Sequence, residues 1–526
     1  MVTEEKRKII TLWQQGLALA NKGDFPGAIN SYREALAEAK DLRIELMLYL
    51  AEAYERNNNL LLAAETINMA IECLENAEDK GSCSFQLHLR MRQGEYNRKV
   101  GNIRQAAEGY RLAAVFCPKA NIYRRSGAYS SYLQTLACRE IALPSFRSAL
   151  EGYDSLFSPH KAEVFAPAEN RKLRIGYMSP DFRQHVMFSF YYVMLNGYDR
   201  ENFFVVCYNL SSKQDGWTEH IQSMVDEWRE VADLSMEELA ARIKSDRIDI
   251  LVDLAGHSAG SGMPVFSFWP APVQISGLGW METTGFYAVD YLLTDGYLDG
   301  NAAESYLTEE PLMLSSQFCY TGRSDVPVPG QAPCLKNGYI TFGSFNSYHK
   351  ISDDMVAIWS EILRRVPGSC LFLKCQVFID EDVKHQALMR FEKLGIASSR
   401  LILEQATSNY MERYLSVDIA LDTYPYAGGG TTLDALYMGV PVVSRYGRRR
   451  SSRFGLSILS NSGLGWLAAD TWKKYMELAV QLAGDVALVN DLHLNLRSLL
   501  QRSNVMNGRK YMKELETAYK ELAGRD

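Results

Sequence analysis

The fold is decided by the stretch Leu421-Asp-Thr-Tyr-Pro-Tyr-Ala-Gly-Gly-Gly-Thr-Thr-Leu-Asp-Ala-Leu-Tyr-Met-Gly-Val-Pro-Val-Val443. The β-prone run that ends at Leu421 predicts a strand, the proline and three glycines predict a loop, and apolar residues at helical spacing after Thr432 predict a helix. Glycines let a backbone approach a ligand closely, and the first turn of a helix carries N–H groups without partners. The order suits a phosphate group, although it is equally typical of an ordinary strand-to-helix turn.

Strands and helices alternate from Lys172 to the C-terminal region. A first series begins with the predicted strand Leu173–Met178, and a second begins at Tyr339–Gly343. Between them, residues 321–333 are rich in proline, glycine and serine, which is typical of a linker. This alternation indicates two doubly wound parallel sheets, whose ligands bind beyond the carboxyl ends of the strands.

Before these sheets, residues 6 to about 150 have helical spacing throughout. Three segments share a turn residue, an alanine and a large residue, and their alanines are Ala28, Ala64 and Ala106. The pattern resembles the tetratricopeptide repeat, in which a small residue allows two helices to cross closely. We expect the repeats to form a groove that binds a protein or peptide. A purely structural helical domain is the alternative.

Composition excludes several classes of function. The chain has 526 residues, of which 47% are hydrophobic and 23% charged, and its formal net charge is −7, so no general basic field favours nucleic acid. Nine scattered cysteines and the lack of a long apolar run predict a cytoplasmic protein without a membrane span. An arginine cluster at 445–453 is either a solvated loop or an anion contact.

Three further side chains follow predicted strands. His185 and His257 each come after a strand of the first series, where an imidazole could transfer a proton, or could simply be hydrogen-bonded in the structure. Lys350 follows the first strand of the second series and, with the glycine-rich loop, could form a two-sided diphosphate clamp. Asp380 and Asp382 stand at a probable helix start. No convincing carboxylate cluster occurs, so we expect chemistry without a metal.

Five motifs carry a family resemblance. They are Leu173-Arg-Ile-Gly-Tyr-Met-Ser-Pro-Asp-Phe-x-x-His185, Asp253-Leu-Ala-Gly-His257, Pro270-Ala-Pro-Val-Gln274 with Gly279-Trp-Met-Glu-Thr-Thr-Gly285, Phe342-Gly-Ser-Phe-Asn346 with Lys350, and the stretch from Leu421 to Val443. Together with the repeats they resemble the O-GlcNAc transferase / SPINDLY family. The resemblance implies a glycosyltransferase-B fold and an inverting, metal-independent transfer of a sugar from a nucleotide donor to Ser or Thr hydroxyls of proteins.

The resemblance also implies roles for single residues. His185 corresponds to the active-site histidine, Lys350 to the lysine at the diphosphate, and Asp434 to the acid near the ribose. His257 is a further catalytic candidate because of its place after a strand, and the resemblance assigns it no role. The remaining candidates bind the donor: Tyr410 and Arg413 at the base, with Tyr410 stacked on it, and Gly429, Gly430, Thr431 and Thr432 in the phosphate loop.

The donor is where the sequence departs from its relatives. O-GlcNAc transferases have a histidine at the position of Gly429 and an amide at the position of Ser347, whereas SPINDLY proteins use GDP-fucose. We expect UDP-GlcNAc as donor and no prosthetic group. GDP-fucose, or a repeat scaffold with a non-catalytic nucleotide-sensing part, are the alternatives.

The predicted division has three domains. Helical repeats occupy 1–155, a Rossmann-like half occupies 156–330, and a second, nucleotide-sugar-binding half with terminal helices occupies 331–526.

Overall fold

A computed structural model describes residues 4–39, 43–77, 81–157, 171–300 and 306–524. The chain forms two compact units, each made of three segments. The first unit is Met1–Thr135, Ser347–Ser360 and Leu373–Ser408, and the second is Leu136–Asn346, Glu361–Phe372 and Asn409–Asp526. The three-domain division stays a prediction, and its 155/156 boundary adjoins residues 158–170, which lie outside the described residues.

The N-terminal region is helical, as predicted. The first six helices pack on their neighbours in chain order, and Ala28, Ala64 and Ala106 are fully buried. Gly23, Asn58 and Gly101 have φ of 82°, 63° and 85°, the left-handed conformation that glycine and asparagine adopt most easily. The bounds are α1 (Glu4–Asn21), α2 (Phe25–Glu38), α3 (Arg43–Arg56), α4 (Leu60–Asn76), α5 (Cys83–Lys99), α6 (Ile103–Phe116), α7 (Ile122–Ala137) and α8 (Leu143–Asp154).

A seven-stranded sheet follows, in the order β3-β2-β1-β4-β5-β6-β7, with every described pair parallel. The central strands are buried, which explains their nearly continuous apolar sequences. The bounds are β1 (Leu173–Ser179), α9 (Phe188–Asn196), β2 (Phe203–Asn209), α10 (Gly216–Gln222), β3 (Glu227–Glu230), α11 (Met236–Ser245), β4 (Ile250–Asp253), β5 (Val273–Ser276), β6 (Tyr291–Asp295), α12 (Gly296–Asp299) and β7 (Glu310–Leu314).

The second sheet has six strands in the order β10-β9-β8-β11-β12-β13, and the boundary between the two units passes through β9. Its bounds are α13 (Cys334–Asn337), β8 (Thr341–Ser344), α14 (Asp353–Arg365), β9 (Cys370–Lys374), α15 (Glu381–Glu392), β10 (Leu401–Glu404), α16 (Tyr410–Arg413), β11 (Ile419–Leu421), α17 (Gly430–Tyr437), β12 (Val442–Arg445), α18 (Phe454–Asn461), β13 (Ala468–Ala469), α19 (Trp472–Gly484), α20 (Val486–Gln501) and α21 (Gly508–Leu522). The predicted class, α/β with an all-helical N-terminal part, is therefore confirmed.

Two members of the arginine cluster at 445–453, Arg449 and Arg450, are buried, whereas Arg448 is exposed. Arg450 is fully buried, forms an ion pair with Asp299, and donates to Thr294 Oγ1 (2.8 Å), the Leu293 carbonyl (2.9 Å) and Gln317 Oε1 (2.8 Å). Its partners belong to the first sheet and the segment after it. The solvated-loop interpretation was wrong for Arg450, because an opposite charge and several fixed acceptors offset the loss of hydration of its guanidinium.

None of the nine cysteines forms a disulfide. In the described ranges, no helix is both long enough and apolar enough to span a bilayer.

Candidate functional site

The glycine-rich loop leads from β11 into α17, as the sequence predicts. Gly429 is the residue before the helix and no side chain caps it. The first helical hydrogen bond runs from Leu433 N to the Gly429 carbonyl. Within the described part of the chain, the N–H groups of Gly430, Thr431 and Thr432 have no partner. Such an uncapped N-terminus favours an anion through its N–H donors and its dipole.

Asp422 organises this loop. Its Oδ1 accepts the N–H groups of Thr423 (2.8 Å) and Gly428 (2.7 Å), and its Oδ2 accepts the Ser444 hydroxyl (2.6 Å). The Thr432 hydroxyl donates to the Gly428 carbonyl (3.0 Å). The loop is therefore fixed by hydrogen bonds before any ligand binds. Asp422 directly follows the predicted strand, but no role was predicted for it from the sequence.

A narrow pocket opens beside the loop, at the carboxyl ends of β8 and β11. The Thr431 hydroxyl donates to Asn346 Oδ1 (3.1 Å) in its wall. The buried Ser344 hydroxyl, also in the wall, has no hydrogen-bond partner among the described residues. The lining residues are Gly343, Ser344, Phe345, Asn346, Tyr414, Ala420, Leu421, Asp422, Thr431, Thr432 and Val442. Only the two threonines had been assigned a binding role from the sequence.

His185 lies in the loop that follows β1, and this loop meets the N-terminus of α17. A Cβ atom on Gly430 would lie 2.8 Å from Val186 Cγ2. The His185 Nδ1 is 3.6 Å from Asp181 Oδ2 and accepts the Met187 N–H at 3.4 Å. Burial lowers the His185 pKa, although Asp181 opposes the shift. The imidazole is consequently neutral at neutral pH and can accept a proton.

His257 lies in the core. Its side chain is 1% exposed, and its Nε2 donates to the Thr284 carbonyl at 2.7 Å, because a carbonyl can only accept. The Tyr153 and Trp280 rings pack against it, with centroids 4.5 and 5.2 Å away. Burial lowers its pKa to about 4. This enclosure supports a structural role for His257, and the catalytic role expected from the sequence stays a prediction.

Asp253 begins the motif that ends at His257, and no role was predicted for it from the sequence. It is fully buried at the end of β4, where its Oδ2 accepts the Gly256 N–H at 2.5 Å. Its Oδ1 has no hydrogen-bond partner among the described residues. Burial raises the Asp253 pKa to about 7, so this carboxyl can hold or release a proton near neutrality.

Two residues that were predicted to bind the donor, Asp434 and Tyr410, are hydrogen-bonded to each other. Asp434 is buried, and its two oxygens accept the hydroxyls of Tyr320 (2.7 Å) and Tyr410 (2.9 Å). Burial raises the Asp434 pKa to about 6. The Arg413 guanidinium lies over the Phe372 ring, 5.1 Å from its centroid. Asp434 therefore holds Tyr410 in place, while the ribose contact of Asp434 and the stacking of Tyr410 on a base stay predictions.

Lys350 and Gly429 are two further residues that were predicted to belong to the site. Lys350 ends the short 3₁₀ turn Tyr348–Lys350 in the first unit, and its contact with a diphosphate stays a prediction. A Cβ atom on Gly429 would lie 3.5 Å from Met281 Cε, an ordinary contact, so this position has room for a small side chain.

Across the described residues, no group of three or more His, Cys, Asp or Glu side chains is arranged to hold a metal ion. Asp380 has a different function. Its Oδ1 accepts the Asp382 N–H (2.9 Å) at the start of α15, and its Oδ2 accepts the Leu61 N–H (2.9 Å) at the start of α4. One carboxylate thus caps two helices, which explains why an acid stands at this position.

The family model described as Glycosyl transferase family 41 matches residues 156–319 and 326–515. A protein of Eustoma exaltatum subsp. russellianum named "Probable UDP-N-acetylglucosamine–peptide N-acetylglucosaminyltransferase SPINDLY" is 38% identical over 67% of this chain. The corresponding protein of Arabidopsis thaliana named SEC is 30% identical over 66%. The chain spans about two fifths of the length of these curated relatives.

A solved structure matches over nearly the full length. The Thermobaculum terrenum O-GlcNAc transferase, solved as a mutant, is 27% identical with a TM-score of 0.83, covering 99% of this chain and 98% of that one. This likeness agrees with the helical N-terminal region and two parallel sheets described above.

Proposed function

Because the chain belongs to glycosyltransferase family 41, we propose that it is a protein O-glycosyltransferase that transfers GlcNAc from UDP-GlcNAc to Ser or Thr hydroxyls. The observation that carries the proposal is the uncapped N-terminus of α17, where the N–H groups of Gly430, Thr431 and Thr432 have no partner among the described residues and lie beside the loop that bears His185. The names of the plant relatives and of the Thermobaculum protein support the same chemistry.

In this proposal the loop binds the diphosphate of the donor. The N–H groups of Gly430, Thr431 and Thr432 donate to phosphate oxygens, and Lys350 adds a positive charge as the diphosphate leaves. The acceptor hydroxyl oxygen forms the new bond to the anomeric carbon while the bond from that carbon to the diphosphate breaks, so the configuration inverts. UDP departs with the electron pair of the broken bond. None of these steps requires a metal to be invoked.

His185 receives or orients the acceptor proton. Its neutral imidazole and partial exposure, with 34% of the side chain accessible, support this role. Tyr410 and Arg413 bind the nucleotide base, and Asp434 keeps Tyr410 in position. The helical repeats bind the protein acceptor. A cytoplasmic location belongs to the same proposal and is supported by nine cysteines, none of which forms a disulfide.

The nucleotide is tested first, with the full chain. UDP at 100 times its dissociation constant is expected to stabilise the protein by about 2.7 kcal/mol in a thermal-shift experiment. GDP is the comparison, because GDP-fucose is the alternative donor. A response to GDP alone would assign the fucosyl donor. No response to either nucleotide would favour a repeat scaffold instead of an enzyme.

Transfer is tested next, by mass spectrometry of acceptor proteins incubated with UDP-GlcNAc or GDP-fucose. Lys350→Ala and His185→Ala are expected to lower transfer about 100- to 1,000-fold, to a low but measurable rate, and to leave the far-UV circular dichroism unchanged. Lys384→Ala is the matched control, because Lys384 is a partly exposed lysine whose partner, Glu381, is solvent-exposed. Full turnover by Lys350→Ala would contradict the proposed role of that lysine.

A further inference from the structure

The short turn that carries Lys350 is held by one side chain from α15. The guanidinium of Arg390 donates to the Tyr348 hydroxyl (3.0 Å, from Nη1) and to the Ile351 carbonyl (2.9 Å, from Nη2). It also forms an ion pair with Asp353 (2.8 Å) at the start of α14. Arg390 therefore bonds to the chain on both sides of Lys350, two residues before it and one residue after it.

The other contacts of Tyr348 make this turn a fixed element. Its ring is 5% exposed and packs on Phe378, with centroids 5.5 Å apart. On another side, a Cβ atom on Gly101 would lie 3.2 Å from Tyr348 Cε1, so the repeat turn after α5 touches the ring. The hydrogen bond from Arg390 fixes the position of the hydroxyl as well.

Arg390 is itself anchored to the helical repeats. It lies near the C-terminal end of α15, and the other end of this helix begins at Asp380, whose carboxylate also accepts the Leu61 N–H of α4. All these residues belong to the first unit. A continuous set of hydrogen bonds and helix backbone thus runs from α4, through Asp380 and α15, to the turn at Lys350.

We propose that Arg390 is a positioning residue for Lys350, and that the repeats place this lysine through α15 in addition to binding the acceptor. The inference rests on the proposed function, in which Lys350 stabilises the leaving diphosphate. Such stabilisation depends on placement, since a displacement of about 1 Å can lower a rate about 100-fold.

The ion pair with Asp353 does not explain why an arginine is needed. The Asp353 side chain is 94% exposed, and an exposed pair contributes little to stability. A lysine would preserve this pair. It could not reach the Tyr348 hydroxyl and the Ile351 carbonyl at once, because only the planar guanidinium directs several N–H groups at separate acceptors.

The experiment compares Arg390→Ala, Arg390→Lys and Tyr348→Phe with Lys384→Ala, a control on the same helix. Donor turnover is measured as release of UDP from UDP-GlcNAc in the full chain. Arg390→Ala is expected to lower kcat about 10- to 100-fold with little change in KM. Tyr348→Phe, which removes one of the two bonds, is expected to lower kcat less. Lys384→Ala is expected to match the wild type.

A double-mutant cycle separates positioning from general structural damage. When Lys350 is already alanine, Arg390→Ala is expected to add no further loss, because it acts only through that lysine. Amide hydrogen exchange gives a readout that does not depend on catalysis. The N–H groups of Lys350 and Ile351 close the turn by bonding to the Ser347 and Tyr348 carbonyls, and they are expected to exchange faster in Arg390→Ala.

Two results would overturn the inference: a further loss of turnover when Arg390→Ala is added to Lys350→Ala, or unchanged exchange of the turn. A wild-type chain that releases no UDP or GDP from either donor would instead overturn the proposed function. In that case the exchange measurement alone decides whether Arg390 holds the turn.

Discussion

Breaking the buried pair of Arg450 and Asp299 by removing one partner is expected to destabilise the second unit strongly. Both side chains are almost completely inaccessible, with 0% and 2% exposed. Replacing Arg450 with methionine leaves Asp299 as a buried charge whose remaining side-chain donor is the Thr294 hydroxyl (2.5 Å). Removing one partner of a buried pair costs about 3–5 kcal/mol.

This free energy can be converted into a temperature. The second unit contains roughly 340 residues, and unfolding entropies near 2.1 cal/mol/K per residue give it about 0.7 kcal/mol per degree. Arg450→Met is therefore expected to lower the Tm of this unit by about 4–7 °C. The assay is differential scanning calorimetry. Arg364→Met is the control, because Arg364 is 50% exposed in its pair with Glu361 and its loss costs less than about 1 kcal/mol.

The double variant Arg450→Met with Asp299→Asn tests the electrostatic part of this reasoning. It removes both charges, and a buried pair replaced at both positions is often tolerated. The double variant is expected to recover at least half of the lost Tm. The explanation fails if Arg450→Met alone lowers Tm by less than about 1 °C, or if the double variant is no more stable than Arg450→Met.

Two other predictions concern glycine and histidine positions. A Cβ atom on Gly428 would lie 2.4 Å from Thr431 Oγ1, so Gly428→Ala is expected to weaken UDP binding about 10-fold. Gly429→Ala is the control and is expected to bind UDP normally. Both affinities are measured by calorimetric titration, and equal values would contradict the prediction. The pKa of His257 is about 4 in the folded protein, below its unfolded value of 6.5. The free energy of unfolding therefore falls as the pH drops from 6.5 towards 4, and the loss is about 2 kcal/mol at pH 5. His257→Gln is expected to remove this part of the decline in Tm, and an unchanged decline would show that other groups cause it.

The sequence was most informative where structure depends on neighbours along the chain. Periodic apolar residues predicted the strands and helices, and the glycine-rich loop predicted the start of α17 at Gly430. The recurring small residues, such as Ala64, predicted the packed helix pairs. In each case the determining pattern fits within a few tens of residues.

The parts that could not be predicted depend on contacts between distant residues. His257 follows a strand just as His185 does, yet Tyr153 and Trp280 enclose it. Arg450 stands in a run of arginines typical of a surface, but its acceptors lie more than 130 residues earlier. Burial and hydrogen-bond satisfaction are properties of the assembled core, so a local pattern cannot distinguish these cases.

The shared cap at Asp380 restricts how this chain can be recombined with its relatives. Repeat modules are often exchanged as blocks, but here the N–H group of Leu61 in α4 donates to an acid more than 300 residues away. A chimera that is joined just after α4 takes the start of this helix from the relative. The backbone of that segment then need not reach Asp380. Junctions that take residues 59–61 and 380–382 from the same parent preserve the contact. These two short segments must therefore be exchanged together, despite their separation in the chain.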